Sequence, residues 1–339
     1  MRAALIGMPF SGKTTLFEAL SGVAPGRKDE NLASIKVPDE RIDFLASVFN
    51  PGKKTYTEFL LHDFNDDAKT EPLPAKIKNQ LQKMDVLIIV LRDFPSTMSN
   101  KPQDPLADYL KIREELIFSD LLIVEKKLER EAKEHKNAPD LPVLKKLHEI
   151  FSKNAIPSSA DINDEEMKQC LNYSFLTLKK LVILINKPEG EVSVPKELET
   201  RLAEEGLQFF PVSALLEKEL NTLPPEDIAS FLQGFGLTET AKKRLLKAVY
   251  TAMDLISFLT VGEDEVRAWT IRRGAPAVEA AGRIHSDIAR GFIRASVVPY
   301  ETFKKLGSES ACKEANAYKL TGKDYIVNDG DIVEFRFNV

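Results

Sequence analysis

Gly7-Met8-Pro9-Phe10-Ser11-Gly12-Lys13-Thr14 fits the spacing Gly-x4-Gly-Lys-Thr in full. Each residue type has a task set by phosphate chemistry. Glycines let successive backbone N–H groups turn inward around phosphate oxygens with no Cβ in the way. A helix beginning near Gly12 adds the partial positive charge of its N-terminus. The Lys13 ammonium is expected to reach the β- and γ-phosphates, and the Thr14 hydroxyl to ligate Mg²⁺. The predicted ligand contacts of this P-loop are Gly7, Pro9, Phe10, Ser11, Gly12, Lys13, Thr14 and Thr15. The pattern implies a bound nucleoside triphosphate and leaves both the base and its hydrolysis open.

A second set of residues has the types needed to read a purine. Asn186-Lys187-Pro188-Glu189 follows the apolar run Leu181–Ile185. GTPases usually carry Asn-Lys-x-Asp at such a place, where the Asp carboxylate accepts both guanine N–H groups and the Lys stem covers the purine face. Glu189 carries its carboxylate one methylene further out and is expected to misfit the guanine edge. A lost charged hydrogen bond costs roughly 1.5–3 kcal/mol, about tenfold to a few hundredfold in affinity. Guanine selectivity is therefore expected to be weak, with ATP or GTP as ligand. Ser213-Ala214, after the short strand Phe209–Val212, has the order of the usual last base-contacting loop of GTPases and is expected to serve as one, with Glu217 three residues on.

The elements that must position these residues are readable from apolar runs. Ala3–Ile6, Asp85–Leu91 and Leu181–Ile185 are short and nearly continuous, as strands covered on both faces are. Thr57–Leu61 is a further strand. A helix is expected from about Gly12 to Leu20, with Leu16, Phe17 and Leu20 inward, and another in the second half of Val37–Phe49. Strands alternating with helices predict a doubly wound α/β sheet. Between the strands, residues 106–153 are charge-rich and helical, with a stripe of Leu116, Leu121, Val124 and Leu128. Asn137–Pro142 breaks the pattern before Leu144, Leu147, Ile150 and Phe151 resume it, so an antiparallel helical hairpin is expected. A helix from about Glu239 to Leu255 then leads to predicted strands Val266–Ile271, Gly291–Val298, Asp324–Val327 and Ile332–Phe337. Asn328-Asp329-Gly330-Asp331 is a tight-turn signal between the last two. The expected division is a P-loop domain over 1–105 and 175–236, the hairpin over 106–174, a linking helix over 237–256 and a small α+β domain over 257–339.

The motifs together carry a family resemblance. The chain resembles the YchF/EngD-type P-loop GTPases, related to the Obg family. The likeness rests on the P-loop, on Asn186-x-x-Glu189, on Ser213-Ala214-x-x-Glu217, and on Leu171–Lys180. It is densest at the end of the chain, where Glu265–Ile271, Ala280–Asp287, Gly291–Ala295 and Gly322–Val339 are similar to a TGS (β-grasp) domain. The resemblance implies a G domain with an inserted helical hairpin and a C-terminal TGS domain. It also implies ATP as well as GTP binding, Mg²⁺, and ribosomes or RNA as partners.

Two stretches depart from that pattern. Where a GTPase has Asp-x-x-Gly, this chain has His62-Asp63-Phe64-Asn65-Asp66. Asp63 can keep the magnesium role, but Asp66 stands where glycine is expected and would meet the γ-phosphate with like charge. The usual glycine-rich continuation is replaced by Ala68–Pro74. Upstream of Val37-Pro38-Asp39-x-Arg41, Lys28–Ile35 has no threonine to close over magnesium, and Ser34 is the nearby hydroxyl. Intrinsic hydrolysis is therefore expected to be slow, on the order of 10⁻⁴ to 10⁻² per second. Two readings stay open: a slow NTPase switch, or a degenerate NTPase acting as an RNA or ribosome adaptor. A small-molecule kinase is disfavoured by Asn186–Glu189 and the TGS-like end.

Bulk properties fit these readings. The 339 residues carry 43% hydrophobic and 29% charged side chains, the usual mix of a globular protein of two or three domains. A net charge of −5 supplies no global attraction to nucleic acid or membrane. Arg267, Arg272, Arg273, Arg283, Arg290 and Arg294 form a local excess that suits either phosphate contact or a solvated face, and Trp269 suits either a core or a base-stacking role. No apolar run reaches 18 residues, and the apolar start is too short for a secretion signal. The distant Cys170 and Cys312 suggest a reducing, cytoplasmic setting. His285-Ser286-Asp287 cannot form a catalytic triad, because adjacent residues do not face one another.

Overall fold

The computed structural model describes residues 1–26, 30–64, 73–96, 102–134, 138–158 and 160–338. Asp66 and most of Ala68–Pro74 lie outside the described residues, as do Lys28 and Asn137. Twelve strands are described: β1 (Arg2–Ile6), β2 (Glu30–Val37), β3 (Lys53–Thr55), β4 (Thr57–Phe64), β5 (Val86–Arg92), β6 (Lys180–Asn186), β7 (Gln208–Val212), β8 (Leu255–Thr260), β9 (Glu265–Arg272), β10 (Phe292–Pro299), β11 (Lys319–Thr321) and β12 (Asp331–Phe337). The helices that matter below are α1 (Lys13–Ser21), α2 (Glu40–Phe49), α3 (Ala75–Leu81), α4 (Pro105–Glu134), α5 (Leu141–Ser152), α6 (Asp164–Cys170), α7 (Lys196–Glu204), α8 (Ala214–Leu220), α9 (Pro225–Gly234), α10 (Ala241–Ala252) and α11 (Ala277–Ile284). The chain divides into two compact units, Met1–Ile35 with Leu60–Ala248, and Lys36–Phe59 with Val249–Val339.

The first unit is an α/β fold around a sheet of order β2-β4-β1-β5-β6-β7. The pairs β4–β1, β1–β5, β5–β6 and β6–β7 run parallel. Continuous apolar sequence is what permits this, because parallel strands are covered by helices on both faces. Every residue of Val86–Leu91 is 0% exposed. Helix α4 serves two cores at once. Tyr109, Ile112 and Leu116 pack with Leu87, Ile89 and Leu91 of the sheet. Ile117 and Val124 pack with Val143, Leu144, Leu147 and Phe151 of α5. The helical hairpin is thus continuous with the sheet's own cover. Its junction is fastened by Asp120, 0% exposed, whose carboxylate accepts from Leu176 N–H at 2.9 Å and Thr177 N–H at 2.7 Å.

The second unit has a sheet of order β11-β10-β12-β8-β9-β3. Helix α11 lays Ala277, Ala280 and Ala281 against Ile256, Phe258 and Ile271 on one face. On the other, Ile42 and Leu45 of α2 pack with Leu259, Val266 and Ala268. Helix α2 starts where Asp39 accepts from Arg41 N–H, and Arg41 in turn meets Asp329 at 3.0 Å. Lys36–Phe59, assigned from sequence to the P-loop domain, therefore folds with the C-terminal residues. Strand β3 is the reason: it adds a parallel edge to β9, with Lys53, Lys54 and Thr55 opposite Glu265, Val266 and Arg267.

Three further expectations are corrected. Asp324–Val327 is not a strand; only Ile326 bridges, to Pro276, while β11 pairs with β10 instead. The Asn328–Asp331 turn leads into β12 without joining a hairpin, with Gly330 at φ 83°. The linking helix stops at Ala252, because Asp254 takes the left-handed conformation at φ 51° and Leu255–Thr260 becomes β8.

Candidate functional site

Strand β1 delivers the P-loop and α1 begins at Lys13. The glycines stand where nothing larger fits. A Cβ on Gly7 would lie 2.4 Å from Val90 O, and one on Gly12 would lie 2.2 Å from Asn186 Nδ2. Gly12 also has φ 90°, and Phe10 reaches φ 65° despite its side chain. A non-glycine residue there is strained, and such strain gathers where a backbone is held for a ligand. Lys13 Nζ donates to Gly7 O at 2.9 Å and Met8 O at 3.0 Å, so the ammonium lies over the loop itself. The buried Ser11 hydroxyl has no hydrogen-bond partner among the described residues. Thr14 and Thr15 occupy the first turn of α1 and are half-buried.

Asn186 ties three predicted loops together. Its Nδ2 donates to Ser11 O at 3.0 Å, and its Oδ1 accepts from Ala214 N–H at 3.1 Å. The side chain is at the C-terminal end of β6, next to β5 and β7 in register. The C-terminal edge of a parallel sheet is where α/β folds place ligands. Ser213 caps α8 by accepting from Leu216 N–H, and Lys187 N–H donates to Val212 O at 2.8 Å. The Lys187 ammonium pairs with Asp93 at 2.5 Å and both side chains are over nine-tenths buried. Glu189 is exposed in the turn that follows.

Asp63, 1% exposed, lies on β4 in register with Leu5 of β1. Its Oδ2 accepts from Asn31 Nδ2 at 3.0 Å, a partner that no motif points to. Burial alternates along β2, leaving Asn31 buried and Ser34 exposed. His62 contacts Glu30 through Nδ1, and its buried Nε2 has no partner among the described residues. Oxygen donors from Thr14 and Asp63 suit a hard cation that keeps waters and phosphate oxygens in its shell, as Mg²⁺ does.

Glu217, named in the sequence only as a motif match, has a visible task. It is 4% exposed and accepts from Ala241 N–H at 2.5 Å, capping α10. Burial pushes its carboxyl above the usual range, and that N–H and Arg244 pull the other way. Helix α8 is also tied to α1, since Asn221 Nδ2 donates to Ala19 O at 2.6 Å and Lys218 pairs with Glu18 at 2.8 Å. In the second unit, Trp269 is partly buried. Its Nε1 donates to Thr260 at 3.0 Å, Phe258 stacks on it, and Arg267 covers it at 3.9 Å. His285 caps a short helix by accepting from Asp287 N–H.

Comparison with known proteins places these features in context. A family model named YchF-GTPase_C, described as a protein of unknown function (DUF933), matches residues 255–338. The chain is 34% identical to the ribosome-binding ATPase YchF of Bacillus subtilis, covering all of both chains. It is 32% identical to the human Obg-like ATPase 1, covering 100% of this chain and 92% of the relative. Among solved structures, the Schizosaccharomyces pombe YchF GTPase superposes with a TM-score of 0.81 at 25% identity, covering 99% of this chain and 97% of that one.

Proposed function

The chain belongs to the YchF family, and from that premise we propose that it binds a Mg²⁺-complexed purine nucleoside triphosphate, hydrolyses it slowly, and uses it to control binding to the ribosome. The observation that carries this reading is the Asn186 side chain, which holds Ser11 of the P-loop and Ala214 of the last loop in one bonded unit. Such preorganisation is what a triphosphate site needs, since the backbone donors are then arranged before the ligand arrives. Lys13 would leave the Gly7 and Met8 carbonyls to neutralise the β- and γ-phosphates. Thr14 and Asp63 would hold Mg²⁺, which supplies charge neutralisation when bound. Asn186 would order the loops, the Lys187 stem would cover the purine, and Glu189 would face its edge.

ATP is the expected ligand, with GTP accepted. Glu189 replaces the aspartate that recognises guanine, and the relatives in Bacillus subtilis and human are both named as ATPases. Slow turnover follows from the magnesium surroundings. Strand β2 brings an amide, Asn31, to Asp63, while its hydroxyl, Ser34, faces away. The ribosome as partner follows from the naming of the bacterial relative. No helix among the described residues is long and apolar enough to cross a membrane.

Calorimetric titration of Mg·ATP and Mg·GTP, with phosphate release measured with and without ribosomes, tests the proposal. Binding of both, ATP the tighter, with turnover below about 10⁻² per second in the protein alone, is expected. Lys13→Ala should abolish binding and uncouple ribosome association from nucleotide. Brisk turnover without a partner, or ribosome binding indifferent to Lys13→Ala, would refute the switch reading.

A further inference from the structure

We propose that Asp93 is a positioning residue for the base-reading loop: by clamping the buried Lys187, it fixes the Asn186–Glu189 turn before a purine arrives. The inference rests on the nucleotide reading above and adds to it a residue that no loop motif includes. Strands β5 and β6 run parallel with Arg92 opposite Asn186, so Asp93 and Lys187 are the next residues out, side by side at the ligand edge of the sheet. Asp93 N–H donates to Asn186 O at 2.8 Å, which sets its backbone. Lys187 is held at both ends: its N–H by Val212 O at 2.8 Å, and its ammonium by Asp93 Oδ2 at 2.5 Å. The side chains are 5% and 8% exposed, and a second carboxylate, Glu191, is 3.6 Å from the ammonium and itself 57% exposed.

Lysine is ordinarily among the most exposed and least ordered side chains. A free lysine at the start of the base-reading loop would have to give up that freedom on binding. Here the ordering has already taken place in the folded protein, so the turn that presents Glu189 is set before the ligand arrives. The ion pair also removes the lysine's net charge, leaving discrimination between bases to Glu189. Immobilising one flexible side chain in advance is worth up to about tenfold in affinity.

The test separates the base from the phosphates. Mg·ATP and Mg·tripolyphosphate are titrated into the wild type, D93N, K187M and the D93N/K187M double variant, each checked by thermal melting. Expected are an affinity for Mg·ATP about tenfold weaker in D93N, an unchanged affinity for Mg·tripolyphosphate, and a double variant no weaker than K187M. Unchanged ATP affinity in D93N, an equal loss for tripolyphosphate, or a further loss in the double variant overturns the assignment. Should D93N not fold, D93E retains the charge but moves it by one methylene. A selective loss for ATP is then expected, and wild-type affinity overturns the assignment. Failure of the wild type to bind either ligand overturns the nucleotide reading as well, whereas wild-type binding with an indifferent D93N removes Asp93 alone.

Discussion

Asn186→Ala and Asn186→Asp should weaken both stability and ligand binding, aspartate the more, because alanine empties one bridge and aspartate sets a charge against its Ser11 end. The side chain is 4% exposed and serves two buried residues, donating to Ser11 O and accepting from Ala214 N–H. Alanine strands both groups. At about 1–3 kcal/mol for each buried group left unpaired, Asn186→Ala should lose about 2–6 kcal/mol of stability. Aspartate keeps an acceptor for Ala214 N–H but turns its second oxygen on the Ser11 carbonyl in a buried site, so it should lose at least as much as alanine. Affinity for Mg·ATP should follow the same order. The new carboxylate faces the Ser11 carbonyl and adds negative charge beside a triphosphate loop, so Asn186→Asp should bind more weakly than Asn186→Ala. Denaturant unfolding gives the stabilities and calorimetry the affinities. Aspartate milder than alanine in both assays, or stability unchanged by either substitution, would show that Asn186 does not join these loops.

Asp120 should carry a pH signature with an unusual sign. Burial raises its carboxyl from 3.8 to about 6, against the opposing hydrogen bonds from Thr177 and Leu176. A raised folded value means the contribution is fully present below about pH 4 and lost as pH rises through about 6. At about 1.36 kcal/mol per unit, the wild type should lose about 3 kcal/mol relative to Asp120→Asn between pH 4 and pH 7. Urea unfolding of both proteins across that range checks it, and a pH-independent difference would sink it. Glu217→Ala leaves Ala241 N–H without its acceptor and should cost about 1–3 kcal/mol. Hydrogen exchange should then speed up first at the start of α10, and uniform acceleration throughout the protein would contradict the capping role.

How much of this was legible in the sequence depends on how local each feature is. The P-loop is eight consecutive residues, and its backbone conformation is set by Gly7 and Gly12 within that span. The buried strands β5 and β6 announce themselves by unbroken apolar runs, and the hairpin by its stripe and its break. Strand β3 was not legible, because Lys53-Lys54-Thr55 has no apolar alternation and becomes a strand only by pairing with β9, more than 200 residues on. Strand β8 was hidden because Leu-Ile-Ser-Phe-Leu extends the apolar content of α10, and only the backbone at Asp254 separates them. The site partners Asn31 of Asp63 and Asp93 of Lys187 lie 32 and 94 residues away in sequence. A polar side chain in a strand or at its end looks the same in sequence whether it faces solvent or a buried carboxylate. Trp269 is the converse case: an aromatic suited to stacking on a base already has its faces taken by Phe258 and Arg267.

The discontinuity of the second unit bears on how the polypeptide can be divided. A fragment cut at Val249 and ending at the C-terminus would contain β8 to β12 but neither the edge strand Lys53–Thr55 nor the helix bearing Ile42 and Leu45. Leu259, Val266 and Ala268 would be bared to solvent, and β9 would become an open edge ready to pair with another chain. Such a fragment should self-associate, whereas restoring residues 36–59 through a short glycine-rich tether to the start of β8 should render it monomeric. The C-terminal part of the gene is therefore not a transplantable module on its own, and swaps between relatives must carry both stretches together.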